Sequence, residues 1–328
     1  MKDNYKRQID YLRVSVTDRC NLRCFYCMPE DGVDLKRSTE ILSYEELYKI
    51  IKVATELGIK KVRLTGGEPL VRKGMVDFVR DIGQLGIDDL SLTTNGTLLP
   101  KYGADLAEAG LDRVNISIDT LQAKKFSEIS RSKHPLSRVI LGIKEAQKVG
   151  LTPVKLNVVL IKGVNDNEIE DFARLTLNNE ITVRFIELMP LGESYQWANE
   201  RYFSIEEVKS RLEEIENLLP ANKDRGNGPA RYYKFSESKG KLGFISPISN
   251  HYCDECNRVR LTADGFLKPC LHSDSEFNLK RALRTEMGEK ELKKVIKDAI
   301  FAKPEKGLGV EADSDFSINQ RRMSQIGG

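Results

Sequence analysis

Between residues 11 and 190 the chain repeats one unit, a short β-rich segment followed by a longer helical one, with Gly or Pro at the joins. The β segments are YLRVSVT (11–17), KKVRLTGG (60–67), DLSLTTNG (89–96), DRVNISID (112–119), PVKLNVVL (153–160) and TVRFIELMP (182–190). Such alternation implies parallel strands joined by right-handed crossovers, which leaves a doubly wound sheet or a complete or partial barrel. The pattern inside the strands chooses between them. Successive side chains point to opposite faces, so Leu12, Val14 and Val16 oppose Arg13, Ser15 and Thr17. Likewise Val62 and Leu64 oppose Lys61, Arg63 and Thr65; Val114, Ile116 and Ile118 oppose Asn115, Ser117 and Asp119; and Lys155 shares a face with Asn157. Strands covered by helices on both faces read as continuous apolar runs, and a closed eight-stranded barrel fills its centre with branched aliphatics. Neither description fits. The expectation is an α/β fold, an incomplete (β/α)6 TIM-type barrel whose polar lumen is the active site. An antiparallel sheet with one wet face is the competing reading, and the intervening helices count against it.

The helix SYEELYKIIKVATELG opens on a capping box, Ser43 with Glu46, and stops at Gly58. Further helices are expected over 75–85, 102–109, 136–149 and 167–177. After residue 190 the rhythm fades into a helix over 204–215, a Gly, Pro and Asn rich break over 221–230, strands at 231–235 and 242–245, a helical end over 276–301 and a frayed tail, RRMSQIGG. Residues 1–190 are therefore read as the partial barrel. Residues 191–328 are read as an α+β extension that covers its open side and ends in a flexible GlyGly.

Lys and Arg number 52 against 49 Asp and Glu, so no broad positive field marks a nucleic-acid surface; an anion must be held by local arginine geometry. No apolar run approaches the roughly 18 residues of a membrane span, and MKDNYKRQ lacks the apolar core of a signal peptide. A cytoplasmic protein that touches no membrane is expected. There the six cysteines stay reduced, which favours metal or redox chemistry over disulfides.

Three of them, Cys20, Cys24 and Cys27, form CxxxCxxC in the loop after the first strand, where ligands of parallel sheets gather. A tetrahedral zinc site wants a fourth ligand, and His134 is far along the chain. A four-iron cluster can be held by three thiolates with one iron left open. The other three, Cys253, Cys256 and Cys270, are spaced C-x2-C-x13-C. Here a Cys3His zinc site with His251 or His272 remains an alternative. Arg258 and Arg260 flank Val259 and point to one side of a strand, while Arg13, Arg63 and Lys155 lie on polar strand faces. Guanidinium forks of this kind match phosphate oxygens.

CxxxCxxC with Tyr26 before its last cysteine resembles the signature of the radical S-adenosylmethionine enzymes. The resemblance implies that the open iron chelates the methionyl amine and carboxylate of S-adenosylmethionine, and that one electron from the cluster then yields a 5′-deoxyadenosyl radical. TGGEP (65–69) looks like that family's glycine-rich element, where bare backbone meets the methionine amine and Glu68 assists. Further along, CDECNRVRLTADGFLKPC (253–270), with LTGGEPL, LTTNG, RFIELMPLG and the terminal GlyGly, is similar to the GTP 3′,8-cyclase family over essentially the whole chain. That family catalyses the first step of molybdenum cofactor (molybdopterin) biosynthesis.

This likeness implies a radical lyase with two 4Fe-4S clusters, held by Cys20, Cys24 and Cys27 and by Cys253, Cys256 and Cys270, the second of which binds the guanine of the substrate. The implied S-adenosylmethionine contacts are Tyr26, Gly67, Ser117 and Met189. The implied GTP contacts are Arg13, Arg63, Thr94, Lys155, Arg258, Val259 and Arg260, with Arg258 and Arg260 in the catalytic role of stabilising the cyclised radical. The implied product is (8S)-3′,8-cyclo-7,8-dihydroguanosine 5′-triphosphate. An external one-electron reductant and a downstream cyclic pyranopterin monophosphate synthase are the implied partners of a monomer or homodimer. Gly327 and Gly328 would reach toward the active site, while the loop at 132–134 carries no role. Peptide-modifying radical enzymes with auxiliary clusters typically need more cysteines than remain after the first site, which sets another radical enzyme, and a non-catalytic redox sensor, as the rivals.

Overall fold

The computed structural model describes residues 1–189, 195–223, 228–286, 288–307, 321 and 323–326. The first part comprises β1 (Tyr11–Ser15), α1 (Tyr44–Glu56), β2 (Lys61–Thr65), α2 (Met75–Gly83), β3 (Asp89–Thr94), α3 (Leu99–Glu108), β4 (Arg113–Ser117), α4 (Ala123–Ser130), α5 (Leu136–Lys148), β5 (Val154–Leu160), α6 (Ile169–Asn178) and β6 (Ile181–Glu187). Then come α7 (Tyr195–Glu200), α8 (Ile205–Glu213), β7 (Leu219–Pro220), β8 (Arg231–Lys234), β9 (Lys241–Ile245), β10 (Arg258–Leu261), β11 (Phe266–Lys268), β12 (Phe277–Asn278), α9 (Leu279–Leu283), α10 (Gly288–Phe301) and α11 (Met323–Ile326).

All six expected strands form. The capping box of α1 is reciprocal: Ser43 Oγ accepts from Glu46 N, and the Glu46 carboxylate accepts from Ser43 N. A second one, Ser204 with Glu207, starts α8. Helix α3 begins at Leu99 rather than 102 because Pro100, which lacks the N–H that a first turn leaves unused, sits at its start. Helix α4 was not expected; it is short, has no side-chain cap and buries only Phe126, Ile129 and Ser130. The single helix expected over 276–301 is instead β12, α9 and α10. Asn278 caps a fresh start by accepting from Arg281 N, and the second helix begins at Gly288, whose φ is +39°.

One twelve-stranded sheet runs in the order β12-β11-β10-β1-β2-β3-β4-β5-β6-β9-β8-β7. β10 pairs in parallel with β1 and β9 in parallel with β6, so eight parallel strands lie between two antiparallel ribbons. The expected six-strand partial barrel forms, and β10 and β9 extend it at its two edges. The later residues satisfy the open backbone groups of β1 and β6 by adding strands to both edges. Strand pairing therefore crosses the boundary drawn at residue 190.

Register sorts the side chains into rows. Arg260, Arg13, Arg63, Ser91 and Arg113 are consecutive cross-strand partners on β10, β1, β2, β3 and β4. On the opposite face Val259, Leu12, Val62, Leu90, Leu156 and Val183 belong to the main core beneath the helices. Each such buried aliphatic contributes about 1.5–3 kcal/mol. A slip of one residue would exchange the two rows, so core burial fixes where the arginines point.

The tail expected to fray is docked in its described part. Ile326 is fully buried, and Arg321 bonds both Asp264 carboxylate oxygens and both Glu276 oxygens while lying 5.1 Å above the Phe266 ring. Gly327 and Gly328 fall outside the described residues.

Candidate active site

Residues of all eight parallel strands border one cavity: Arg258 and Arg260 on β10, Arg13 on β1, Arg63 on β2, Thr94 on β3, Ser117 on β4, Asn157 on β5, Arg184 on β6 and Ile245 on β9 among them. The sheet therefore curves around a lumen, yet stays open because β12 and β7 do not pair with each other. Of the residues named from the sequence, Arg13, Cys20, Cys24, Tyr26, Cys27, Arg63, Gly67, Thr94, Ser117, Met189, Arg258 and Arg260 line it. Five expected residues do not. Cys253, Cys256 and Cys270 lie on loops beside it; Lys155 is buried with its Nζ 5.6 Å from the Tyr232 ring; and the Val259 side chain points into the core, leaving only its backbone for a ligand.

The first cysteine loop is held by the glycines of TGGEP. Gly67 N donates to Thr17 O and Glu68 N to Arg19 O, and a Cβ on Gly67 would overlap the Arg19 carbonyl. Bare backbone is thus needed to dock the loop carrying the cysteines, besides any ligand it meets. Glu68 does not border the cavity. Its carboxylate accepts from Thr94 Oγ1 at 2.8 Å, Asn95 N at 2.7 Å and Leu70 N at 3.0 Å, and burial pushes it up to about 7. Thr94 Oγ1 is thereby tied to Glu68 and also accepts from Gly96 N. Tyr26 Oη donates to Asp119, whose other oxygen accepts from Val159 N; burial raises Asp119 to about 6.

All six cysteines are free thiols of intermediate exposure. Leu22 N donates to Cys20 Sγ at 3.4 Å, and Asn95 Nδ2 stands 4.0 Å from the same sulfur. Among the described residues no three His, Cys, Asp or Glu side chains converge tightly enough to close on one ion. A cluster offers separate irons to separate thiolates, so the three thiols at the cavity wall, with N–H donors already turned to sulfur, fit a four-iron group. Burial, then Glu68, pushes the Cys20 thiol up to about 11, and burial and Asp119 hold Cys24 well above its usual range.

The lumen is strongly cationic. Arg13, Arg63, Arg113, Lys155, Arg184 and Arg260 are all under 9 % exposed. Arg113 makes a bidentate pair with Asp89, at 2.8 Å and 2.6 Å. Burial, and then the neighbouring arginines, depress Arg13 well below its usual value and bring Arg260 to about 10. Burial also lowers Arg63 to about 10. A guanidinium keeps its proton at neutral pH, so a bound anion would relieve the mutual repulsion of this row. Arg184 was missed in the sequence. Its Nη2 bonds Asn115 Oδ1 at 2.7 Å, while its buried Nε has no partner among the described residues. The clue was available: Arg184 occupies the polar parity of TVRFIELMP.

The second cysteine group is built from backbone. Cys256 N closes a turn on Cys253 O; Arg7 Nη1 donates to Cys253 O at 2.8 Å; and Lys303 Nζ donates to Pro269 O, just before Cys270. Burial alone would push the Cys256 thiol up, but Arg258 and Lys303 outweigh it and bring it down to about 6. Arg258, 5.0 Å from the Tyr252 ring, also borders the main cavity and so joins the two regions.

Residues 14–176 match the radical SAM superfamily and residues 181–308 match a family described as Molybdenum Cofactor Synthesis C. The chain is 51% identical over 329 residues to the GTP 3′,8-cyclase of Alkaliphilus metalliredigens (strain QYMF) and 52% identical to that of Alkaliphilus oremlandii (strain OhILAs), each covering 100% of both chains. The chain belongs to the GTP 3′,8-cyclase family. The crystal structure of Streptococcus suis SuiB bound to S-adenosylmethionine superposes with a TM-score of 0.55 at 16% identity, covering 92% of this chain and 73% of that one. At that identity the likeness speaks for the fold, a partial TIM-type barrel of the radical SAM kind. No helix among the described residues is long and apolar enough to cross a membrane.

Proposed function

We propose that the protein is a radical S-adenosylmethionine lyase converting GTP to (8S)-3′,8-cyclo-7,8-dihydroguanosine 5′-triphosphate, the opening step of molybdenum cofactor synthesis. The observation that carries this reading is the single cavity whose wall includes both the Cys20, Cys24 and Cys27 loop and the arginines Arg258 and Arg260 next to the second cysteine group. When bound, the first cluster and S-adenosylmethionine supply a 5′-deoxyadenosyl radical by one-electron cleavage of the sulfonium, the electron coming from an external reductant. Loss of the ribose C3′ hydrogen, bonding of C3′ to guanine C8, and uptake of one electron and one proton give the product.

The chain's own work is to hold and shield. Tyr26, Gly67, Ser117 and Met189 are assigned to S-adenosylmethionine. Arg13, Arg63, Thr94, Lys155, the Val259 backbone, Arg258 and Arg260 are assigned to GTP, and to these we add Arg184. Cys253, Cys256 and Cys270 are assigned to a second four-iron cluster that takes the guanine. Arg258 and Arg260 stand where positive charge would stabilise the cyclised purine radical. The product would pass to a cyclic pyranopterin monophosphate synthase. Anaerobic reconstitution with iron counting, then incubation with GTP, S-adenosylmethionine and reductant, tests the reading by mass spectrometry. About eight irons per chain and a product that chromatography separates from GTP but that has GTP's own mass support it; two zincs and no iron, or a single GTP peak, reject it.

A further inference from the structure

Lys303 is 2 % exposed, yet among the described residues no Asp or Glu pairs with it. Its ammonium donates to Arg258 O at 2.9 Å and Pro269 O at 2.7 Å. Those carbonyls belong to the two segments that carry Cys256 and Cys270, on either side of the β10–β11 hairpin. A buried ammonium costs several kcal/mol in desolvation unless an anion answers it, and two neutral carbonyls answer it only in part. The residues it bonds lie two after Cys256 and one before Cys270, so thiolates at those positions would supply such an anion. Arg258, which acts on Cys256 more strongly than Lys303 does, borders the cavity and faces the substrate side, and Arg7 has its own carboxylate in Asp3, 2.6 Å away, and contributes through its bond to Cys253 O. Lys303 is the buried cation that bonds the backbone of both cysteine segments at once.

We propose that Lys303 is a positioning residue for the second cysteine site: it ties the Cys256 and Cys270 segments together and adds, beside Arg258, a fixed positive charge toward their thiolates and a cluster held by them. This rests on the two-cluster reading above. A positive charge beside a cluster favours its reduced form, so removing that charge drives the reduction potential down.

The test uses the full chain carrying Cys20→Ala, Cys24→Ala and Cys27→Ala, so that iron reports on the second site alone. Anaerobic reconstitution, an EPR-monitored redox titration and a circular dichroism melt are run on this protein and on it with Lys303→Arg or Lys303→Gln. The parent takes up about four irons per chain. Lys303→Arg keeps iron and potential. Lys303→Gln, which keeps two N–H donors but loses the charge, melts cooperatively and shifts the potential to more negative values. A potential equal to the parent's in Lys303→Gln overturns the role of the charge, and iron loss from Lys303→Arg and Lys303→Gln alike overturns it too. A parent that binds no iron, seen before Lys303 is touched, overturns the two-cluster reading and this inference with it.

Discussion

The two cysteine groups have the same number of thiols and similar exposure, but opposite electrical surroundings. Around Cys20 and Cys24 lie buried carboxylates, Glu68 and Asp119, and burial first, then these carboxylates, pushes the thiols up. Around Cys256 lie Arg258 and Lys303, and the thiol is pulled down to about 6. On the two-cluster reading proposed above, charge would separate their work: a cluster beside carboxylates would be harder to reduce and hence the stronger electron donor, while one beside cations would suit a polyanionic substrate.

The comparison breaks most visibly by removing one thiol from each group. Cys24→Ala is expected to abolish both 5′-deoxyadenosine release and cyclisation, whereas Cys256→Ala abolishes cyclisation alone; chromatography of both products decides, and equal loss of 5′-deoxyadenosine would erase the distinction. Next in size is Arg184→Met, which removes one lumen cation that has no carboxylate bonded to it among the described residues. It should weaken GTP binding about 10- to 100-fold, leave S-adenosylmethionine affinity alone, and leave the empty protein as stable or more so; calorimetry and melting measure these, and a parent-like GTP affinity would count against the anion site.

Glu68→Gln probes the carboxylate side. Its folded value near 7 exceeds the unfolded value of 4.5, so the native state holds this proton more tightly, and its contribution to stability falls as pH rises from about 4.5 to 7. The Gln variant should lose that slope and about 1–3 kcal/mol for the mismatched donor, read by urea titrations across pH; an unchanged slope refutes the assignment. The smallest effect is expected from Arg321→Ala, which touches neither cysteine group. Partly exposed ion pairs of this kind contribute about 1 kcal/mol, so stability should drop by that much. Faster C-terminal trimming by carboxypeptidase should accompany it, and equal trimming would show that the clamp does not hold the tail.

The strands, the lumen face and the first cysteine loop were legible because period-two alternation and CxxxCxxC are local patterns. What was not legible depends on distant partners. Strand β10 is four residues whose meaning comes from pairing with β1, and the docking of Arg321 needs Asp264 and Glu276 brought together by a hairpin. Arg184 was within reach, since it shares its strand face with Thr182, but no motif drew attention to it. Helix α4, short and uncapped, offered too little periodicity.

The pairing of β1 with β10 also bears on how the molecule is made. On a ribosome the first strand emerges early and gains β2 as a neighbour, but its other edge stays bare until residues 258–261 follow. Until then the nascent barrel presents a parallel strand edge able to recruit a foreign one. The strand that covers this edge carries Arg258 and Arg260, so protection from misassembly and completion of the cationic wall arrive in the same four residues.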